Sequence, residues 1–227
     1  MATATQTAGK ESAGSDAGST APSGVDLKKA LAPLFNPPRE PVLIDVPELG
    51  YLMIDGRGAP EPAPGDEPSE LQLSFAALFP VAYTIKFRLK RDGLAMPILP
   101  LEALWFTDDN GFDLNAPKDD WTWRALMAVS HDVTPQIFEE AVADVRRKKG
   151  GTEALNKLRF ERWAEGRCAQ VMHIGPYSAE GPTIERLHAF IAGQGLRIRG
   201  YHHEIYVGDP RTADPAKLKT VVRQPVE

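Results

Sequence analysis

Two glutamates set among apolar and aromatic neighbours are the residues of this sequence with the clearest capacity for chemistry. Glu204 lies in His203-Glu204-Ile205-Tyr206-Val207, and Glu102 lies in Pro100-Leu101-Glu102-Ala103-Leu104-Trp105. Both runs read as strands, and a carboxylate in mid-strand either faces solvent or is deliberately buried. That the setting occurs twice favours burial. A buried carboxyl serves as a general acid or base, or as the counter-charge for a cation. Tyr51, Tyr83, Trp105, Trp121, Trp123, Tyr177 and Tyr206 fall at strand ends or element junctions. Some of these rings fill a core, and the others can wall a pocket and stack on a flat ligand. Together with Glu102 they form the set of ligand-binding candidates around Glu204.

Competing chemistries find less support. There is no G-x-S-x-G elbow, Walker loop or His-Glu-x-x-His pair, and Gly56-Arg57-Gly58 lacks the third glycine of a dinucleotide fingerprint. The single cysteine, Cys168, has no histidine close in sequence and reads as a small strand residue. It also excludes an internal disulfide and a cysteine-cluster zinc site. His202, His203 and Glu204 suggest a metal, but strand alternation leaves only His202 and Glu204 on one face, and two ligands do not close a site. No metal and no cofactor are expected. His131, His173 and His188 read as structural histidines.

The elements that must position these groups repeat. Val42 to Asp55 reads as a bent or bulged strand around Pro-Glu-Leu-Gly. Leu71, Phe75, Leu78, Phe79 and Ala82 have helical spacing, with Pro80 predicted to kink or split the helix. Pro97–Phe106 and Trp121–Ser130 read as a strand pair. Thr134-Pro135 opens a linking helix over about 134–150, closed by Gly150-Gly151 behind four cations. Then come a long strand over Arg159–Ile174, a short helix over Pro182–Ala192, and strands over Arg197–Val207 and Lys217–Val222. Strand–helix–strand–strand thus appears twice, over about 41–130 and about 158–225, and the echo predicts a duplicated α+β unit. Two such βαββ units imply a pseudo-two-fold, two-sheet domain with a central ligand groove.

Composition bounds the remaining classes. The chain has 227 residues, a formal charge of −5 and 42% hydrophobic residues, enough to bury a core. Of residues 1–24, 18 are Ala, Thr, Ser or Gly, so this stretch reads as a disordered tail before a folded part over 25–227. The net acidity argues against a nucleic-acid partner held by counterion release. No apolar run reaches the ~20 residues of a membrane helix, and MATATQTAGK lacks the features of a secretory signal. A cytoplasmic setting is the default, and no sequence feature sets an oligomeric state.

The strings His173-Ile174-Gly175-Pro176-Tyr177, Glu180 with Thr183, His203-Glu204-Ile205-Tyr206, Asp209-Pro210 and Leu218-Lys219-Thr220-Val221-Val222-Arg223-Gln224-Pro225 resemble the GyrI-like small-molecule-binding family. Tyr83–Phe87, Pro100–Trp105 and Trp121-Thr122-Trp123 resemble its longer branch. The resemblance implies an aromatic-lined groove in a duplicated βαββ fold. In multidrug-responsive regulators of this family a groove glutamate meets cationic aromatic drugs, and Glu204 matches its position. Some free-standing relatives open the cyclopropane of DNA-alkylating natural products with two glutamates, for which Glu180 and Glu204 are the candidates here. On this reading burial raises the pKa of Glu204 so that it donates a proton, while the second carboxylate orients water. With a cationic ligand Glu204 would instead stay ionised. The alternatives are a drug-sequestering or sensor module without turnover, and a protein-interaction role such as gyrase modulation.

Overall fold

The protein is described by a computed structural model covering residues 27–62, 65, 67–107, 116–208 and 213–227. The expected tail, 1–24, and Asp209-Pro210 lie outside the described residues. Two short helices, α1 (Leu27–Ala30) and α2 (Ala32–Phe35), precede β1 (Val42–Arg57). Next come α3 (Glu70–Arg91), β2 (Leu101–Phe106), β3 (Thr122–Val129), α4 (Pro135–Lys149) and α5 (Glu153–Lys157). The chain finishes with β4 (Arg159–Ile174), α6 (Gly181–Gly193), β5 (His202–Tyr206) and β6 (Lys219–Pro225). The order β1-α3-β2-β3 is followed by β4-α6-β5-β6, with α4 and α5 between.

The six strands close into one antiparallel ring, β1-β3-β2-β5-β6-β4, where two sheets about a central groove were expected. The long strands account for the difference. β1 pairs with β4 over Val42–Met53 and with β3 over Gly50–Arg57, so one strand serves two neighbours along its length. The short strands β2 and β5 then pair with each other and complete the circle. Gly166, with φ +75°, bends β4 at its midpoint, a conformation that costs glycine nothing and a branched residue much. The bend lets both Glu165 and Cys168 turn into the ring. The interior is filled rather than grooved: Tyr51, Met53, Leu104, Leu126, Cys168, Met172, Ile205 and Val221 pack there, with Leu31, Leu34 and Phe35 from the N-terminal helices.

Helices cover the outer face. α3 runs unbroken through Pro80 for 22 residues, where a kink or split was expected. Its buried stripe, Leu71, Leu78, Val81, Ile85 and Leu89, extends on both sides of the proline. Burying each of these side chains is worth about 1.5–3 kcal/mol, which outweighs the roughly 3 kcal/mol a helical proline costs. A reciprocal cap between Ser69 and Gln72 holds the first turn. α6 lays Ile184, Leu187 and Ile191 on Ala169, Val171 and Val222.

Four charged side chains lie among the apolar interior. Glu165 Oε2 accepts from Arg223 Nη1 at 3.0 Å, and Glu165 Oε1 lies 3.0 Å from His203 Nδ1. On the other side of its ring, His203 Nε2 lies 3.0 Å from Glu102 Oε2. Two carboxylates, a guanidinium and an imidazolium cancel when His203 carries a proton. Arg223 also donates to Gln170 Oε1 at 3.1 Å and to the Leu34 carbonyl at 2.6 Å. Burial disfavours the His203 cation, but the two carboxylates win and raise its pKa to about 9. Burial likewise opposes the Glu165 anion, and His203 and Arg223 overcome it, lowering the pKa to about 2.

Removing one partner of such a group leaves an uncompensated buried charge. Arg223→Met should lower the unfolding free energy by about 3–5 kcal/mol, measured as a drop in urea midpoint. The His203 contribution is complete below its ordinary pKa of 6.5 and is lost as pH rises through about 9. The Glu165 contribution is complete above 4.5 and is lost as pH falls through about 2. Stability should therefore decline between about pH 6.5 and 9, and the slope from this group should vanish in His203→Gln.

Candidate functional site

The pairing register separates the acidic residues. Glu204 lies opposite Ala103 on β2 and opposite Val222 on β6. Residues directly opposite in adjacent strands share a face, so Ala103, Trp105, His202, Glu204, Tyr206, Thr220 and Val222 all point outward, toward the helices. Glu102, one residue from Ala103, points inward to His203.

The outward face brings a second carboxyl to Glu204. Glu180, at the N-terminal end of α6, is 4% exposed, and the Glu204 side chain is 12% exposed. Tyr206 donates its hydroxyl to Glu204 Oε2 at 2.8 Å, and His202 Nε2 lies 3.3 Å from Glu204 Oε1. Burial drives the Glu204 carboxyl upward, yet hydrogen bonds from His202, Tyr206 and Glu180 prevail and hold it below the ordinary range. Burial raises Glu180 and the Glu204 charge raises it further, while Thr220 works weakly the other way. Two carboxyls in contact cannot both ionise. Glu180 therefore takes the shared proton and Glu204 keeps the charge, the reverse of the roles expected from burial of Glu204 alone. One Glu180 oxygen, Oε1, is buried with no hydrogen-bond partner.

Rings surround this pair. Tyr206 meets Phe75 of α3 edge-on at 5.8 Å and Tyr177 at 5.5 Å. Trp105, opposite His202, meets Trp121 edge-on at 5.5 Å. Trp105, Trp121, Tyr177 and Tyr206 thus gather on the side of the carboxyl pair, as the sequence reading grouped them. The other candidates lie elsewhere. Glu102 is in the charged group inside the ring, because alternation reverses its face. Tyr51 is inside too, tilted against Trp163 at 5.8 Å. Trp123 shares the outward face but is fully buried beneath α3, so close to Gly56 that a Cβ there would fall 2.1 Å from its ring. Tyr83 is 44% exposed on α3 and stacks on Phe87 instead.

Three participants were not singled out from sequence. Phe75 was visible only as one position of a helical stripe. Thr220 lies opposite Tyr206, a pairing that local sequence does not encode. His202 was recognised as sharing a face with Glu204, but as a rejected metal ligand rather than as a hydrogen-bond partner. No group of three or more His, Cys, Asp or Glu side chains among the described residues is arranged to hold a metal ion.

Comparison with known proteins gives a consistent picture. A family profile described as a GyrI-like small molecule binding domain matches residues 117–227. An uncharacterized conserved protein from Listeria innocua is 36% identical over 88% of this chain and 98% of its own, with a TM-score of 0.79. A structure described as a hydrolase from Listeria innocua is 35% identical with the same coverage, 88% and 98%, and a TM-score of 0.73. No match was found among curated proteins.

The division of charge is directly measurable. Carboxyl-carbon NMR of the protein should show Glu180 still protonated at neutral pH and Glu204 ionised. In Glu204→Gln the Glu180 titration should move down toward the ordinary range, because the adjacent charge is gone. An unmoved Glu180 would assign its shift to burial alone.

Proposed function

The chain belongs to the GyrI-like small-molecule-binding family, and on that premise we propose that it binds flat aromatic compounds and hydrolyses electrophilic ones. Strained cyclopropane rings of DNA-alkylating compounds are the substrate class favoured by its earlier resemblance to free-standing hydrolases. The observation that carries the reading is the buried carboxyl pair, Glu180 and Glu204, beside the rings of Tyr206 and Tyr177, with Tyr206 and His202 bonded to Glu204 alone so that the pair divides its charge unequally. The likeness to structures described as hydrolases supports it.

The steps follow from those protonation states. Tyr177 is 40% exposed, so its ring can give way to a ligand that stacks on Tyr206 and approaches Trp105. Glu204 accepts a proton from water as the water oxygen bonds to the strained ring carbon. The ring carbon–carbon bond breaks and its electron pair passes to the conjugated carbonyl of the ligand, whose oxygen takes the proton from Glu180. Glu180 leaves the step ionised and Glu204 protonated, and their direct contact returns the proton for the next turnover. Positioned acid–base help of this kind is worth about 10²–10⁴ in rate.

A second reading, capture of aromatic cations without turnover, is favoured by the ionised state of Glu204. A desolvated carboxylate flanked by rings attracts a delocalised cation through charge and cation–π forces. A cytoplasmic setting is part of either proposal.

Tryptophan fluorescence should quench saturably with such ligands in the wild type, Glu180→Gln and Glu204→Gln. With a cyclopropane-bearing alkylator each variant should hydrolyse about 10²–10⁴ times more slowly than wild type, read by mass analysis of the ligand. The wild-type rate should fall at high pH, where Glu180 loses its proton, and at low pH, where Glu204 gains one. Saturable quenching with chemically unchanged ligand would assign the protein to capture alone.

A further inference from the structure

The helical layer carries a second feature that the carboxyl pair does not use. The C-terminal half of α3 packs along α4, joined to it by an ion pair between Arg88 and Glu140. Between them opens a cleft of about 530 Å³ lined by Thr84, Phe87, Arg88, Lys90, Arg91, Asp144 and Lys148. Segments 86–91 and 140–149 together hold eight cations and two carboxylates, in a chain whose formal charge is −5. The cleft itself takes four of these cations, Arg88, Lys90, Arg91 and Lys148, against one carboxylate, Asp144. Arg88 and Arg147 are paired with Glu140 and Asp144. Lys90, Arg91, Lys148 and Lys149 are exposed and enter no ion pair among the described residues.

Cations at helix C-termini complement the backbone dipole, and that accounts for part of the cluster. It does not account for the rings beside it. Phe87 is 58% exposed and Tyr83 44% exposed. Their centroids are 6.2 Å apart with planes 28° from parallel; Phe87 lines the cleft, and Tyr83 stacks beside it with Lys86 Nζ 5.8 Å from its own ring centre. An exposed aromatic platform bordered by unpaired cations matches a ligand with a flat ring and an attached anion. We infer that this cleft binds nucleotide units, a base stacking on Phe87 at its wall and phosphate groups held by Lys90, Arg91 and Lys148 of the lining and by the exposed Lys149 next to them. A single strand of nucleic acid offers such units repeatedly, and a free nucleotide offers one. A duplex keeps its bases stacked inside, away from the rings. A second copy of the chain would bring the same positive charge against this face. The expectation of no nucleic-acid partner rested on the net acidity and the lack of a basic tract, which do not register how the fold brings Lys148 of α4 beside Lys90 and Arg91 of α3.

Anisotropy of a labelled oligothymidylate tests the assignment. Four phosphate contacts on a single strand predict that affinity falls about 50-fold between about 50 and 200 mM salt. Phe87→Ala should weaken binding about 5- to 100-fold, and Lys148→Glu with Lys149→Glu should flatten the salt dependence, with circular dichroism confirming that both proteins fold. Competition by adenosine monophosphate assigns the cleft to free nucleotides, and competition by the oligomer alone assigns it to strands. Either result supports the inference. No anisotropy change at about 50 mM salt, unchanged binding by Phe87→Ala, or equal competition by inorganic polyphosphate or phosphatidylserine vesicles would overturn it.

Discussion

His203 and Glu204 are neighbours in the chain and point to opposite faces of one strand. This alternation divides the electrostatics of the molecule into two systems that share a single wall. Inward, His203 joins Glu102, Glu165 and Arg223 in a group whose charges cancel. Outward, Glu204 meets Glu180 under the ends of α3 and α6. The same problem, a carboxyl removed from water, is solved in two ways. Inside the ring cations neutralise it; outside, one of two contacting acids takes a proton. The first solution favours rigidity. The second leaves a poised acid and a poised base in contact, which is what proton transfer requires.

The rings act differently in the two systems as well. Tyr51 and Trp123 are packing residues that fix the ring and the helix seated on it. Trp105 and Trp121 are buried on the side of the carboxyl pair, Tyr206 is half-buried and Tyr177 is exposed, so under the proposed function Tyr177 is the ring a planar ligand would displace. In the proposed function the carboxyl pair is desolvated by the same rings that would hold the ligand, so binding and acid–base chemistry would be altered together.

Much of this arrangement was legible in the sequence, for physical reasons that also mark where legibility ends. The elements follow from local periodicity, and Glu204 stood out because a carboxylate among branched and aromatic residues is unusual. Closure of the ring did not follow, since β2 meets β5 across a wide stretch of chain and nothing local encodes that pairing. Glu102 was misplaced for a related reason. The echo aligned Leu101-Glu102 with His203-Glu204, but the register sets Glu102 opposite Ile205 and Glu204 opposite Ala103. Which of the two carboxyls keeps its charge was likewise hidden, because burial alone raises any carboxyl, and the hydrogen bonds from His202 and Tyr206 are what hold Glu204 down. Pro80 looked disruptive because its local cost is visible and the burial on either side of it is not.

Arg223 reaches from the last strand to the carbonyl of Leu34, 189 residues away. Through that bond, and that of Gln170 to Pro33, the opening and closing segments of the described fold hold one another in place around a charged interior. Neither βαββ unit is thus a self-sufficient module, whatever its ancestry. Cut apart, one would carry Glu102 with no cation and the other would carry Arg223 without its carbonyl anchor, and each would present raw sheet edges. Splitting or shuffling these halves demands redesign of the seam, because the ring closes only when both are present.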